Sequence, residues 1–414
     1  MANKVTNLRA RSIANKQIFQ PFHSRNFSLL FLTTITVSLG NMMMMVSSGW
    51  LVLELTDSPL SLGIVWATNS VPNLIWGMLA GAVADRVDRK KIQIVALVLY
   101  STCGFLLGYL IVQEWILLWH VLLITFIWSS VRTFDRPARQ AFLVDIVGRE
   151  GAMSGISLNA VGIQFVGIIG GAAAGIIIDL FGMEWPFFVL TATSILAIGI
   201  ITYIREIEER IVAKKQTLWS NFVEGIQIVL KNRVVLVLMV MAATCEMFGF
   251  SYSVLLPVFA RDILDVSAVG LGMLSAVRSI GGLVAGLTLA SLGDYKYKGW
   301  IILGLFFSFG VALILFANSS LYLLSLIFMG IIGITAAGYD TMQQILFHLN
   351  VTEEQRGRAM GIWQISIGFG VLGKVTLGAI AEALGAPLAQ SIFGTVMVII
   401  FVIQVLTVPK LRKL

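Results

Sequence analysis

The sequence predicts an all-α membrane protein of twelve transmembrane helices in two pseudo-symmetric six-helix bundles, with both termini on the cytoplasmic side. Three observations carry that expectation. The 414 residues are 57% apolar and only 12% charged, with a mean hydropathy of +0.89, whereas a soluble domain is about 25% charged. The chain divides into apolar runs of the ~20 residues that a bilayer core requires. The basic residues cluster in alternate connections between those runs.

The runs fall near 27–55, 59–83, 91–112, 115–134, 153–181, 185–204, 234–260, 267–293, 300–317, 320–347, 358–384 and 387–408. With the N-terminus inside, every one of the 29 Lys and Arg residues except Arg261, Arg278 and Lys374 falls in a cytoplasmic segment. That asymmetry fixes the orientation, because positive charge is retained on the cytoplasmic side. The segments are then a cytoplasmic tail (1–26), a first six-helix bundle (27–204), a cytoplasmic linker (205–233), a second bundle (234–408) and a short tail (409–414). Within the linker, Leu218, Phe222, Ile226, Val229 and Leu230 share one face and read as an amphipathic surface helix.

Composition also excludes function classes. A net charge of +7 would suit nucleic acid in a soluble domain, but here it reports orientation, so no nucleic-acid partner is expected. Cys103 and Cys245 lie far apart inside apolar runs, and His23, His120 and His348 are scattered. No disulfide framework, metal site, cofactor or catalytic cluster is expected. Gly368 to Lys374 spells most of a phosphate-binding loop, but Val375 stands where Ser or Thr is required and the context is a membrane helix, so nucleotide binding is rejected. The Asn350-Val351-Thr352 sequon falls on the cytoplasmic side and is expected to be inert.

The two halves echo each other. Gln140 followed by Ala152-Met153 and Gly155 resembles Gln344 followed by Ala359-Met360-Gly361, and Asp85 ends span two as Asp294 ends span eight. The connection Gly81-Ala82-Val83-Ala84-Asp85-Arg86-Val87-Asp88-Arg89-Lys90-Lys91 resembles the signature loop of the major facilitator superfamily. Gly81 would let helices approach, Asp85 would bond a neighbouring helix N-terminus, and Arg86 and Arg89 would pair across the cytoplasmic face as a latch. Asp135, with Arg132, Arg136 and Arg139, forms a second gating cluster on that face.

Within that superfamily the chain resembles the enterobactin-exporter and macrolide-efflux branch. The matching stretches are Trp50 to Ser58, Pro72-Asn73-Leu74, Arg136 to Ala141, Asp145-Ile146-Val147 and Ser157 to Ala160, concentrated in the first half. The resemblance implies a multi-pass protein of the bacterial inner membrane, a secondary active transporter that exports a small organic molecule against protons by alternating access. An importer or uniporter of an anionic or lipid-like metabolite shares the fold and stays open as the alternative. The expected partners are the substrate, protons and membrane lipid, with the chain acting as a monomer. Two positions depart from the pattern: Asn41 replaces an acidic residue in span one, and Gly170-Gly171 replaces a Gly-Pro pair in span five.

Ionisable residues inside spans mark the candidate site, since each needs a cavity or a partner. Glu246 and Arg278 fall near mid-membrane, at 1.5 Å rise per residue, and are expected to face each other. They form either a proton site that releases Arg278 for an anionic substrate or a permanent ion pair. Lys374, between Gly370 and Gly378, would meet an anion or snorkel outward. The neutral cavity-lining candidates are Asn41, Met45, Asn69, Gln164, Phe250, Gln343 and Trp363, with Met42 to Met45 and Trp66 offering soft apolar surface.

Overall fold

A computed structural model describes residues 19–205, 227, 229–292 and 297–407. Most of the expected linker, the Asp294 echo of Asp85 and the outermost parts of both tails lie outside the described residues.

Helix boundaries follow local capping chemistry. α1 (Arg25–Thr56) begins where the Ser24 hydroxyl accepts the Phe27 N–H, and α2 (Pro59–Arg86) begins with Ser58 accepting from Ser61 N–H ahead of Pro59. α3 (Arg89–Val112) is capped by Asp88, which accepts from Lys90 and Lys91 N–H at 2.9 and 3.2 Å. α4 (Leu118–Phe181) runs for 64 residues with one break, at Gly148 (φ 71°, ψ 174°). That backbone conformation suits a residue without Cβ. The connection expected near 134–153 is therefore helix on both sides of a single glycine.

α5 (Trp185–Thr202) completes the first set of helices. α6 (Arg233–Thr244) starts with Asn232 capping Val234 and Val235 N–H. It continues through a π segment (Cys245–Gly249), a 3-10 segment (Phe250–Val254), a short turn at Leu256–Val258 and a second π segment (Phe259–Ile263). α7 (Ala268–Leu292), α8 (Lys298–Ala317), α9 (Tyr322–Leu349), α10 (Glu353–Leu384) and α11 (Ala386–Thr407) follow.

Among the described residues, nine helical stretches are long and apolar enough to cross a membrane: α1, α3, the second arm of α4, α5, Arg233–Ile263, α7, α8, α9 and α11. α2, the first arm of α4 and α10 are as long but more polar. They carry Asn69, Ser70 and Asn73, then Arg132 to Arg139, then Lys374, respectively.

α1–α5 pack on one another, as do α6–α11, and the sets meet mainly along two seams, α2 with α10 and α4 with α7. Small residues line both seams, so the backbones come close. A Cβ on Gly63 would stand 2.7 Å from the Lys374 carbonyl, and one on Gly378 would stand 2.7 Å from that of Pro59. On the other seam Gly167 faces Ser279, Gly171 faces Ser275 and Ala276, and Gly175 faces Ala268. These contacts lie toward the end opposite the one where α1 starts and α11 finishes, here called the far end. Toward the terminal end, sites for a Cβ on Gly81 of α2 and Gly286 of α7 have no atom within 4 Å.

Close packing inside one set gives a stability test. A Cβ on Gly104 of α3 would stand 2.6 Å from the Phe187 carbonyl and 2.8 Å from Thr191 Oγ1, whereas one on Gly199 of α5 meets nothing within 4 Å. Gly104→Val should cost about 1–3 kcal/mol through overpacking and lower the thermal midpoint of the detergent-purified protein. Gly199→Val should change it little.

Candidate functional site

The ionisable groups within the helices show where the interior is polar, because a charge in a membrane span must meet water or a partner. Glu246 sits in the first π segment of α6, with Oε2 3.3 Å from the position of a Cβ on Gly370 of α10. Its charge faces Lys374, one turn along α10, and Asp340 of α9. Lys374 crosses to the other helix set and donates to Ser70 Oγ of α2 at 2.5 Å, while its charge also meets Arg132 of α4.

The sequence paired Glu246 with Arg278, and the structure corrects this: Arg278 of α7 faces the Tyr252 hydroxyl instead. The cause is the irregular backbone of α6. A π turn carries an extra residue, and Pro257 cannot donate to the Ser253 carbonyl, so the expected face of Glu246, Phe250, Ser253 and Pro257 is not continuous. Phe250 turns into the second set, its ring 5.7 Å from that of Phe309, and Ser253 Oγ bonds the Phe250 carbonyl.

Further charges face the space between the sets on the terminal side of Lys374. Arg132 and Arg136 lie on the exposed side of α4, and Arg132 stands 5.5 Å over the Trp128 ring. Asp340 is exposed across from them, its charge meeting Arg136 and its Oδ2 accepting from Gln344 Nε2 at 3.1 Å. The expected cluster of Asp135, Arg132, Arg136 and Arg139 thus divides. Asp135 turns inward, where it pairs with Arg139 and accepts from the Tyr100 hydroxyl.

The neutral candidates also separate. Met45 and Asn69 line a small pocket between α1, α2 and α4. Asn41 stands beside it, accepting the Trp128 indole N–H at 2.9 Å, and Gln164 lies over Gly282 on the α4–α7 seam. Two expectations are corrected. Gln343 is buried and donates to the Leu238 carbonyl at 2.7 Å. Trp363 is buried edge-on against Phe347. Both hold helices of the second set together, because the faces that carry them meet α6.

At the terminal end Arg89, rather than Asp85, is the centre of the latch. Arg89 pairs with Asp145 of α4 and donates to the Ala84 and Ala141 carbonyls at 3.2 and 3.3 Å. Asp85 is 51% exposed and stands 3.9 Å from Arg89, Arg86 is exposed, and Gly81 faces open space. Lys90 caps α5, donating to the Thr202 and Ile204 carbonyls. At the far end the sets are tied directly. Glu382 Oε2 accepts from the Ser58 hydroxyl and Leu60 N–H at 2.9 and 3.2 Å, at the start of α2, and Arg261 pairs with Asp57.

The family model described as transmembrane secretion effector matches residues 16–414. The chain belongs to that family, within the major facilitator superfamily. Its members are transporters, and the chain is a multi-pass membrane protein of that fold. It is 25% identical to the staphyloferrin A transporter of Staphylococcus aureus over 88% of this chain and 91% of that one. It is 22% identical to macrolide efflux protein A of Streptococcus pyogenes over 87% and 90%. A crystal structure of the nucleoside transporter NupG superposes with a TM-score of 0.73 at 16% identity, covering 91% of this chain and 99% of the other. The likeness therefore extends through the second half, beyond the stretches on which the sequence resemblance rests.

In this transporter the ties that sequence reasoning missed are Asp145, Arg261 and the Lys374 bridge to Ser70. Asp145 belonged to a matching stretch, so its signal was present without its partner. The latch geometry orders two substitutions. Arg89→Ala leaves Asp145, whose side chain is 6% exposed, without its cation, a loss of about 3–5 kcal/mol. Asp85→Ala removes a solvent-exposed contact of about 0–1 kcal/mol. The thermal midpoint should fall clearly for the first and barely for the second. Equal effects would return the latch to Asp85.

Proposed function

We propose that this chain is a secondary active exporter of a small organic molecule, driven by protons and working by alternating access. The observation that carries the reading is the placing of Glu246 against Gly370, one turn from Lys374, where α10 meets α2 and the Lys374 ammonium reaches Ser70. A carboxylate and an ammonium one helical turn apart inside a membrane are poised for proton-linked exchange. In this reading a deprotonated Glu246 attracts Lys374, and protonation removes that attraction. Because Lys374 touches both sets, that exchange bears on how they meet. Asn41, neutral and already bonded to Trp128, leaves the first set without the carboxylate many relatives place in span one.

The far-end ties, Glu382 at the start of α2 and Arg261 with Asp57, close one end. The open space at Gly81 and Gly286 supports an opening at the other end. In this reading α2, the first arm of α4 and α10 also cross the bilayer, giving twelve spans in bundles 27–204 and 234–408 joined by the cytoplasmic linker 205–233. Their polarity follows from facing the space between the bundles. The basic connections support termini, and an open end, on the cytoplasmic side of a bacterial inner membrane. The chain acts as a monomer, with lipid around it. A drug-like, siderophore-like or amphipathic molecule suits the mixture of soft apolar wall and few charges. The cations Arg132, Arg136 and Lys374 favour, as a second reading, an anionic metabolite moved by an importer or uniporter of the same fold.

The test is flux in proteoliposomes. An imposed pH gradient should drive movement of radiolabelled erythromycin, a macrolide, through the wild-type chain. Glu246→Gln should lose the gradient drive while keeping downhill exchange. Gradient-driven flux unchanged in Glu246→Gln would overturn the coupling assignment.

A further inference from the structure

We propose that Arg136 of α4 and Asp340 of α9 are the two halves of a tie that joins the helix sets when the terminal end closes. The inference rests on the alternating-access reading above and names a contact that its second state needs. The far end shows such a tie already made: Arg261 of the second set pairs with Asp57, at the C-terminal end of α1 in the first. Toward the terminal end the same two chemistries face each other unjoined, with the cation on the first set and the acid on the second.

The two residues match in depth. α4 starts at Leu118 and α9 at Tyr322, both at the far end, and Arg136 and Asp340 each stand 18 residues further along by the numbering. At a rise of 1.5 Å per residue, each lies about 27 Å from the start of its helix. Both side chains are exposed, and the Asp340 carboxylate feels the Arg136 charge although no ion pair joins them. Among the described residues neither is paired with another opposite charge. Asp340 accepts from the neutral Gln344 amide, one turn along its own helix, at 3.1 Å, and Arg136 makes no hydrogen bond or ion pair. The neighbouring charges are committed elsewhere. Asp135 holds Arg139 and Asp145 holds Arg89, while Arg132, one turn nearer the far end, stands over the Trp128 ring and faces Lys374.

Each half is carried by a body that can move as a unit. α9 is pressed on α7 at Gly333, where a Cβ would meet the Arg278 carbonyl. The first arm of α4 is held to α3 through Asp135, which pairs with Arg139 and accepts from the Tyr100 hydroxyl. The close-packed seams between the sets lie toward the far end. Rocking about those seams brings the terminal-end faces of α4 and α9 together as it separates Arg261 from Asp57. An exposed ion pair contributes little by itself, so one tie can be exchanged for the other without trapping either state. A like charge at either position would oppose closure.

Charge exchange tests this. The full chain, with Cys103 and Cys245 replaced, carries spin labels at Gly81 and Gly286 and is measured in nanodiscs by pulsed electron–electron double resonance. Four chains are compared: native charges, Arg136→Asp, Asp340→Arg, and the two together. The native and doubly exchanged chains should share a short-distance population, and each single reversal should cut it roughly fivefold or more, by losing an attraction and adding a repulsion. Arg136→Gln and Asp340→Asn remove one charge without adding another and should cut it about twofold to fivefold, which covers a reversal that fails to fold. Unchanged populations in the single variants, no recovery in the double exchange, or no short-distance population with native charges would each overturn the tie. Erythromycin flux through the same four chains, unlabelled, separates the two proposals. Gradient-driven flux with populations blind to these charges sinks the tie alone, and a charge-dependent population without flux sinks the proton-driven export reading alone.

Discussion

The ammonium of Lys374 cannot stand alone inside the membrane, and much of the arrangement around it follows from that constraint. It is held where α10 presses against α2, with its own carbonyl facing Gly63, its Nζ on Ser70 and its charge facing Glu246. Side chains larger than hydrogen at Gly63, Gly370 or Gly378 would push the helices apart. The glycines are thus the condition for the charge pairing. Close backbone approach brings the seam together, and the seam places a cation from one helix set against a hydroxyl of the other.

The same economy governs the rest of the interior. The three more polar stretches, α2, the first arm of α4 and α10, carry charged or amide groups that need an interior. Arg139 and Arg89 find carboxylates within the first set, Asp135 and Asp145. Arg132, Arg136 and Asp340 are left facing the open space. Ties at the far end are polar and exposed to solvent, Glu382 to the start of α2 and Arg261 to Asp57, and such contacts form and break at modest energetic cost. The seams beneath them are packed backbone to backbone. A closure made of weak ties over a close-fitting hinge is suited to reopening.

Helix positions were legible in the sequence because the bilayer imposes a length and Ser24, Ser58, Asp88 and Asn232 announce starts. The site was legible in part. Glu246 and Lys374 stood out as charges inside apolar runs, but their pairing depends on a π turn at Cys245–Gly249 that adds a residue to the helical register and leaves no mark in periodicity. Arg278 was given to the wrong partner for that reason. Gln343 and Trp363 have the composition of a cavity wall and the burial of helix packing, a distinction that needs the neighbouring helix. Asp145 is an ordinary residue in sequence, and its role comes from Arg89, 56 positions away by the numbering.

The central claim is that the charge state of Glu246 governs how the two helix sets meet. Spin labels at Gly81 of α2 and Gly286 of α7, both facing open space at the terminal end, report that separation directly by pulsed electron–electron double resonance, with Cys103 and Cys245 replaced. The account predicts a distance distribution in nanodiscs that differs between pH 5 and pH 8 in the otherwise native chain and no longer responds to pH in Glu246→Gln. The same pH response in both would contradict it.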